Sequence, residues 1–315
     1  MARRRRGRPL SGVLLFDKPA GMTSNHALQR VRRLFNAQKA GHTGTLDPMA
    51  TGLLPICFGE ATKFTAWLLD ADKRYTAGVA LGTTTDTGDR EGAVLARAPV
   101  PALDEAALGD TLSRFTGEQW QLPPMYSALK HQGRPLYEYA REGVEIERAR
   151  RQVSIYHVGL LARRELGFEL DVRVSKGTYV RTLIEDIGAA IGCGAHLDAL
   201  RRLATGPFDE RQPMVTLDAL EVMSEAERDA RLLPSESLVA HLPVLEADPA
   251  GCRRLRNGQT IRLPTGELVV GSLAQLFGTP DDASGRTFLG LVRVTEAGQC
   301  APQRLVATAA GQTGE

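Results

Sequence analysis

Apolar residues run unbroken through Gly12-Val-Leu-Leu-Phe16 before the turn Asp17-Lys-Pro-Ala-Gly21, a pattern that predicts a buried strand. Ser24 or Asn25 then caps a helix with Leu28, Val31, Leu34 and Phe35 at helical spacing and Arg30, Arg32 and Arg33 on its other face. Residues 40–52 have no period and several glycines, which predicts a loop. A short strand (53–58), a helix (61–69), a strand (72–81) and a polar hairpin-like connection from Gly82 to Gly92 follow. A helical pattern covers 103–115, 121–150 is irregular with Pro123, Pro124 and Gly133, and strands are expected near 152–161 and 167–175. Val180, Leu183, Ile184, Ile187 and Ile191 then line one face of a helix over 179–191, with Gly192 at its stop. Residues 216–240 read as helices and a linker. From about 243 short apolar segments separated by glycines predict a small β-unit.

Composition narrows the class. At 315 residues, 43% hydrophobic and 24% charged, the chain is an ordinary globular sequence with room for a large domain and a small one. It has no transmembrane-length apolar run, and its basic start lacks a secretory apolar core, so an intracellular, cytoplasmic location is expected. Cys57, Cys193, Cys252 and Cys300 are scattered, which suggests neither a disulfide framework nor a zinc site; no metal is expected. The net charge of +2 conceals five arginines within residues 3–8. Without them 34 basic residues face 37 acidic ones, so an RNA site must come from local clustering. Eight of the acidic residues fall in 218–248, a stretch expected to sit away from RNA.

The candidate chemistry lies in the glycine-punctuated loop. An aspartate before a proline, a tyrosine on a strand and an arginine at a helix start are each ordinary. Together with their surroundings they are specific. Gly41-His-Thr-Gly-Thr-Leu-Asp-Pro-Met-Ala-Thr-Gly52 closely resembles the catalytic motif of the TruB family of pseudouridine synthases. The likeness is collinear over about 10–215. It takes in Asp17-Lys-Pro-Ala-Gly-Met-Thr-Ser24, Lys73-Arg-Tyr75, Leu81-Gly-Thr-Thr-Thr-Asp-Thr-Gly-Asp89 and Pro123-Pro-Met-Tyr-Ser-Ala-Leu-Lys130. Leu136-Tyr-Glu-Tyr-Ala-Arg141, Ser175-Lys-Gly-Thr-Tyr-Val-Arg-Thr-Leu183 and Gly194-Ala-His-Leu-Asp-Ala-Leu-Arg-Arg202 continue it. Thr45 and Met49 stand where alanine and leucine are common in that family.

The resemblance implies an α+β fold, with a mixed, mainly antiparallel sheet and helices whose central cleft holds Asp47. It also implies an isomerase that converts a uridine in the T loop of tRNA, position 55, to pseudouridine. Pseudouridine formation breaks N1–C1′ and rejoins the uracil through C5, with nothing oxidised or added, so no cofactor is expected. It requires a carboxylate nucleophile or ion-pair partner, as in retaining glycosidases; the resemblance gives that role to Asp47. Arg181 is then the guanidinium that lowers its pKa, Tyr75 holds the base and assists proton movement at C5, and Tyr179 completes the pocket wall. Leu200 contributes backbone or apolar contact to the nucleotide, and Lys18 supports the pocket or a phosphate. A stacked uridine must be flipped out to react, and His42 resembles the residue that fills the vacated stack.

From about 243 the chain resembles a PUA domain, an RNA-binding β-unit, through Leu255-Arg-Asn-Gly-Gln259, Phe288-Leu-Gly-Leu-Val-Arg-Val294 and Ala301-Pro-Gln-Arg-Leu-Val306. The expected organisation is a disordered basic tail (1–9), a catalytic domain (10–240) and a PUA-like β-barrel (241–315). Arg253, Arg254, Arg256 and Arg262 are candidates for contact with the acceptor arm. Asp86-Thr-Gly-Asp-Arg-Glu-Gly92 fails the EF-hand pattern and reads as a hairpin turn. The expected partner is tRNA, through its T-arm and acceptor arm, bound by a monomer away from membranes. Alternatives are a guide-RNA-dependent synthase, a tRNA folding chaperone without essential catalysis, and a nucleoside hydrolase.

Overall fold

The computed structural model describes residues 7–281, 285–296 and 298–307. The catalytic-domain strands, in chain order, are β1 (Gly12–Lys18), β2 (Ala40–His42), β3 (Thr51–Phe58), β4 (Lys73–Leu81), β5 (Thr83–Thr85), β6 (Val94–Arg97), β7 (Gly117–Gln121), β8 (Lys130–His131), β9 (Arg134–Pro135), β10 (Arg151–Arg164), β11 (Gly167–Val174), β12 (Ala195–Thr205) and β13 (Val215–Thr216). Its helices are α1 (Ser24–Leu34), α2 (Thr65–Leu69), α3 (Glu105–Ser113), α4 (Leu136–Arg141), α5 (Val180–Ile191), α6 (Leu217–Val222) and α7 (Glu225–Asp229). A nine-stranded sheet runs in the order β13-β1-β3-β12-β4-β11-β10-β7, with β2 also on β3. Most pairs are antiparallel; β1–β13 and β3–β12 are parallel. This is the mixed α+β architecture that the resemblance implies.

Strand β1 shows why its apolar run is continuous. Leu14 and Phe16 enter one core with α1, while Val13 and Leu15 enter a second core on the opposite face. The first core also takes Leu183, Ile184 and Ile187 from α5. Thr23, rather than Ser24 or Asn25, caps α1 by accepting from the His26 amide. The predicted 61–69 helix is a 3-10 turn over Gly59–Phe64 followed by the short α2. The irregular 121–150 region holds β8, β9 and α4, and β7 ends at its first residue.

The second core carries the chain into its C-terminal unit, where Phe64 meets Phe288 at 5.3 Å between ring centroids. That unit comprises β14 (Val244–Ala247), α8 (Pro249–Arg256), β15 (Ile261–Arg262), β16 (Leu273–Gly278), β17 (Thr287–Glu296) and β18 (Gln299–Leu305). Its five strands pair in the order β14-β16-β17-β18-β15, an open path among the described residues rather than a closed barrel. Residues 1–6 of the expected tail lie outside the described residues. Its last part is tied down: Arg8 pairs with Asp229 and, at 3.4 Å, with Glu225, which gives α7's acidic charge an internal partner. No described helix is long and apolar enough to cross a membrane.

Candidate active site

The Asp47 loop lies between β2 and β3 and is pinned from three sides. Ser24 accepts from the Leu46 amide at 2.8 Å and donates to the Leu46 carbonyl at 3.1 Å. Lys18 is fully buried, and its ammonium donates to the carbonyls of Pro19 (2.9 Å), Met22 (2.7 Å) and Pro48 (3.3 Å). Arg202 reaches the Gly44 carbonyl at 3.3 Å. At the loop's end Gly52 has φ +96°, and a Cβ there would lie 2.3 Å from the Arg202 carbonyl, so only glycine allows β3 to close on β12.

Arg181, in the first turn of α5, faces the loop. Its Nε lies 3.0 Å from Asp47 Oδ2, and its remaining nitrogens donate to the carbonyls of Thr87 (2.8 Å) and Tyr126 (2.7 Å). Asp89 stands 3.7 Å from the same guanidinium, held by the Thr87 hydroxyl at 2.7 Å and the Glu91 amide at 3.0 Å. The turn read as a plain hairpin thus supplies a buried carboxylate behind Arg181. The Arg181 side chain is 4% exposed and that of Asp47 34%, so the carboxylate opens on the cavity while its partner is sealed. Burial pushes Asp47 above the usual carboxylate range; Arg181 and Lys18 pull it down and Asp89 adds to the rise. Arg181 therefore acts in the expected direction without winning.

The floor comes from β4 and β12. Tyr75 pairs with Arg202 and Ala77 with Leu200, so Tyr75, Leu200 and Arg202 share one face. Arg202, 1% exposed, donates to the Leu53 carbonyl at 2.6 Å and sits across the sheet from Tyr75. Burial raises the Tyr75 pKa, and Arg202 opposes that rise. Tyr179 forms a wall. Its amide donates to Gln121 Oε1 (3.0 Å), and its carbonyl accepts from Gln121 Nε2 (3.3 Å). The cavity encloses about 300 Å³, the lower end of volumes that hold small ligands.

Asp47, Tyr75, Tyr179, Arg181 and Leu200 all line this cavity. Two predicted residues do not. Lys18 is spent on backbone carbonyls, which corrects the phosphate-contact reading and leaves it a support for the loop; burial lowers its pKa to about 8. His42 sits on β2 beside the loop, with its Nδ1 buried and unpaired and its pKa lowered first by burial and then by Arg202. Sequence reasoning missed Arg202, Asp89 and Gln121 as site residues. The first two lie inside motifs already quoted, so a buried charge at those places was findable once β12 was recognised as a strand. Gln121 carries no such signal. No cluster of three or more metal-ligating side chains occurs among the described residues.

The mixed sheet with its helices recurs in solved structures. The solved Cbf5-Nop10-Gar1 complex matches with a TM-score of 0.70 and 26% identity, covering 94% of this chain and 84% of that one. A structure of H/ACA RNP bound to a substrate RNA containing 2'-deoxyuridine shares the fold at TM-score 0.71 and 23% identity, over 98% and 92% of the two chains. Residues 32–180 match the TruB family pseudouridylate synthase N-terminal domain, 181–240 the tRNA pseudouridylate synthase B C-terminal domain, and 243–306 the pseudouridine synthase II TruB C-terminal domain. Among its relatives, the tRNA pseudouridine synthase B of Chromohalobacter salexigens is 60% identical over 309 residues, 98% of both chains. That of Azoarcus sp. strain BH72 is 57% identical over 305 residues, 97% of this chain and 98% of the relative. The chain belongs to the TruB family of pseudouridylate synthases.

Proposed function

We propose that this protein isomerises a uridine of tRNA to pseudouridine, and that its target is the T-loop uridine at position 55. The observation that carries the reading is the Asp47 carboxylate, gripped by Arg181 and turned toward a pocket floored by Tyr75. In the proposed reaction the flipped uridine lies against Tyr75, with Leu200 and Tyr179 bounding it. Asp47 attacks; C6 of the uracil and C1′ of the ribose both call for the same ionised carboxylate. Arg181 stabilises that charge, and the N1–C1′ bond breaks. The uracil turns and C5 bonds to C1′ while the bond to Asp47 breaks and frees the carboxylate; the C5 proton leaves within reach of the buried Tyr75 hydroxyl and N1 takes up a proton, so the isomerisation balances. Arg202 lies beside Tyr75 in a buried floor that would keep water from the detached base.

His42 would fill the stack that the flipped base leaves, and the arginines of α8 would meet the acceptor arm while a monomer grips the T-arm. Identities of 57–60% to two tRNA pseudouridine synthases B, against 26% to a chain of the Cbf5-Nop10-Gar1 complex, favour the reading that no guide RNA is needed. The test is to incubate the protein alone with unmodified tRNA transcript and map pseudouridine by carbodiimide adducts and primer extension. A single product at the T-loop uridine, lost when that uridine is replaced by cytidine, is expected. Product only when a guide RNA is added, or none at all, overturns the reading.

A further inference from the structure

The cations on and next to the segments that line the cavity are unequally spent. Lys176 pairs with Asp70 at 3.0 Å, Arg173 with Asp72 at 3.6 Å, and Arg74 with Asp171 at 2.9 Å. Within the cavity, Asp47 is already matched by Arg181. Three lining cations, Arg151, Lys73 and Arg202, form no ion pair with a described carboxylate; Arg202 is buried and donates to the Leu53 and Gly44 carbonyls, which leaves Arg151 and Lys73. Arg151 donates one Nη to the Gly177 carbonyl, lies 4.8 Å over the Tyr179 ring, and keeps its Nε buried without a partner. Gly177 makes that position, since its φ of +78° turns the Ser175–Thr178 segment so that a Cβ would lie 3.4 Å from the Arg151 guanidinium carbon. Lys73 donates to the carbonyls of Leu69 (2.8 Å) and Ala71 (2.5 Å), which leaves the third ammonium proton unassigned.

These two cations line one cavity. Lys73 pairs across the sheet with Val174, the residue before the turn that Arg151 grips. Both sit two residues or one stacked ring from groups proposed to bound the base, Tyr75 and Tyr179. We infer that Arg151 and Lys73 form a phosphate subsite, which holds the sugar–phosphate backbone adjoining the target uridine while the base lies on Tyr75. The inference rests on the proposed RNA substrate and deepens it. A guanidinium with unspent donors suits a phosphodiester, and stacking on Tyr179 pre-orients its fork. Charge unspent in the lining would draw the strand in, and the pair Asp47–Arg181 would stay dedicated to chemistry.

The test compares wild type with Arg151→Gln, Arg151→Lys and Lys73→Gln on unmodified tRNA transcript over a range of salt. A lost phosphate contact makes the slope of log affinity against log salt less negative by about 0.7 for a single-stranded loop. Arg151→Gln is expected to lose that much slope and to raise KM about tenfold at low salt, with the loss falling on KM rather than kcat; Lys73→Gln is expected to behave alike. Arg151→Lys is expected to keep the slope. A transcript carrying a neutral methylphosphonate next to the target uridine is expected to weaken wild type while adding nothing further to Arg151→Gln. An unchanged slope in Arg151→Gln, or a kcat loss that Arg151→Lys shares, would mean that Arg151 only props up Tyr179, and overturns the inference. Wild type that leaves every tRNA uridine unmodified sinks the proposed function instead, so the two failures are distinct.

Discussion

The two units of this protein bury different things. The catalytic domain encloses Lys18, Asp89, Arg181 and Arg202, each at most 4% exposed, beneath or beside one cavity. The C-terminal sheet encloses leucines, valines, alanines and cysteines, and its one buried polar side chain among the described residues is Gln275, whose amide donates to the Leu242 carbonyl. Taking an ion out of water costs several kcal/mol unless geometry and hydrogen bonds repay it. The catalytic domain accepts that cost four times within one region, and the C-terminal unit not at all. Buried charge in this fold therefore marks the chemistry, and apolar burial marks the scaffold.

The contrast can be broken most sharply at Asp47. Asp47→Asn keeps the shape but removes the nucleophile, and turnover is expected to fall by about 10,000-fold or more with little change in tRNA affinity, checked by single-turnover kinetics and filter binding. Arg181→Gln should lower turnover by about 100- to 1,000-fold and move the acid limb of kcat/KM. The sign follows from the carboxylate. Burial holds the Asp47 pKa above its ordinary value, so activity falls as pH drops through that raised pKa and protonates the nucleophile. Arg181 opposes the rise, so removing it should move the limb to higher pH; a pH–rate profile checks both.

Arg202→Met tests the floor. It strips the Leu53 and Gly44 carbonyls of a donor, and is expected to cost about 1–3 kcal/mol of stability in urea melts. Without the cation the Tyr75 pKa should rise further, visible in an ultraviolet titration. The scaffold side of the comparison predicts the opposite profile. Leu276→Ala, in the fully buried core of the C-terminal sheet, should cost about 2–5 kcal/mol of stability while kcat per folded molecule stays put. If Leu276→Ala lowered kcat per folded molecule, the division between chemistry and scaffold would fail.

Much of this was legible in the chain because periodicity and motif agreed. The face of α5 defined by Val180, Leu183, Ile184 and Ile187 is buried as its spacing requires, and Gly192 closes it in the left-handed conformation. The loop motif placed Asp47, and the collinear motifs brought Tyr75, Tyr179, Arg181 and Leu200 to the same cavity. What escaped was long-range. Strand β12 lies mid-sheet between β3 and β4, yet its Ala-His-Leu-Asp-Ala-Leu-Arg-Arg run mixes charge with apolar residues because one face lines the site. Arg202 consequently carries no role in the sequence beyond closing its motif. Asp89 hid in a turn whose local pattern is a sufficient explanation of an aspartate, and only the approach of Arg181 from 92 residues away gives it a second role. Helix α8 escaped because it is brief, although Asp248 caps it through the Gly251 amide and Pro249 opens it.

The central claim is that Asp47, held by Arg181 over Tyr75, makes a new bond at C5 of one tRNA uridine. It is tested most directly with a tRNA transcript carrying tritium at C5 of its uridines, treated with wild type and with Asp47→Asn. The account predicts that wild type releases one uridine's share of tritium per tRNA and that Asp47→Asn releases none while still binding. Equal release by the two proteins, or tight binding by wild type without release, would contradict it.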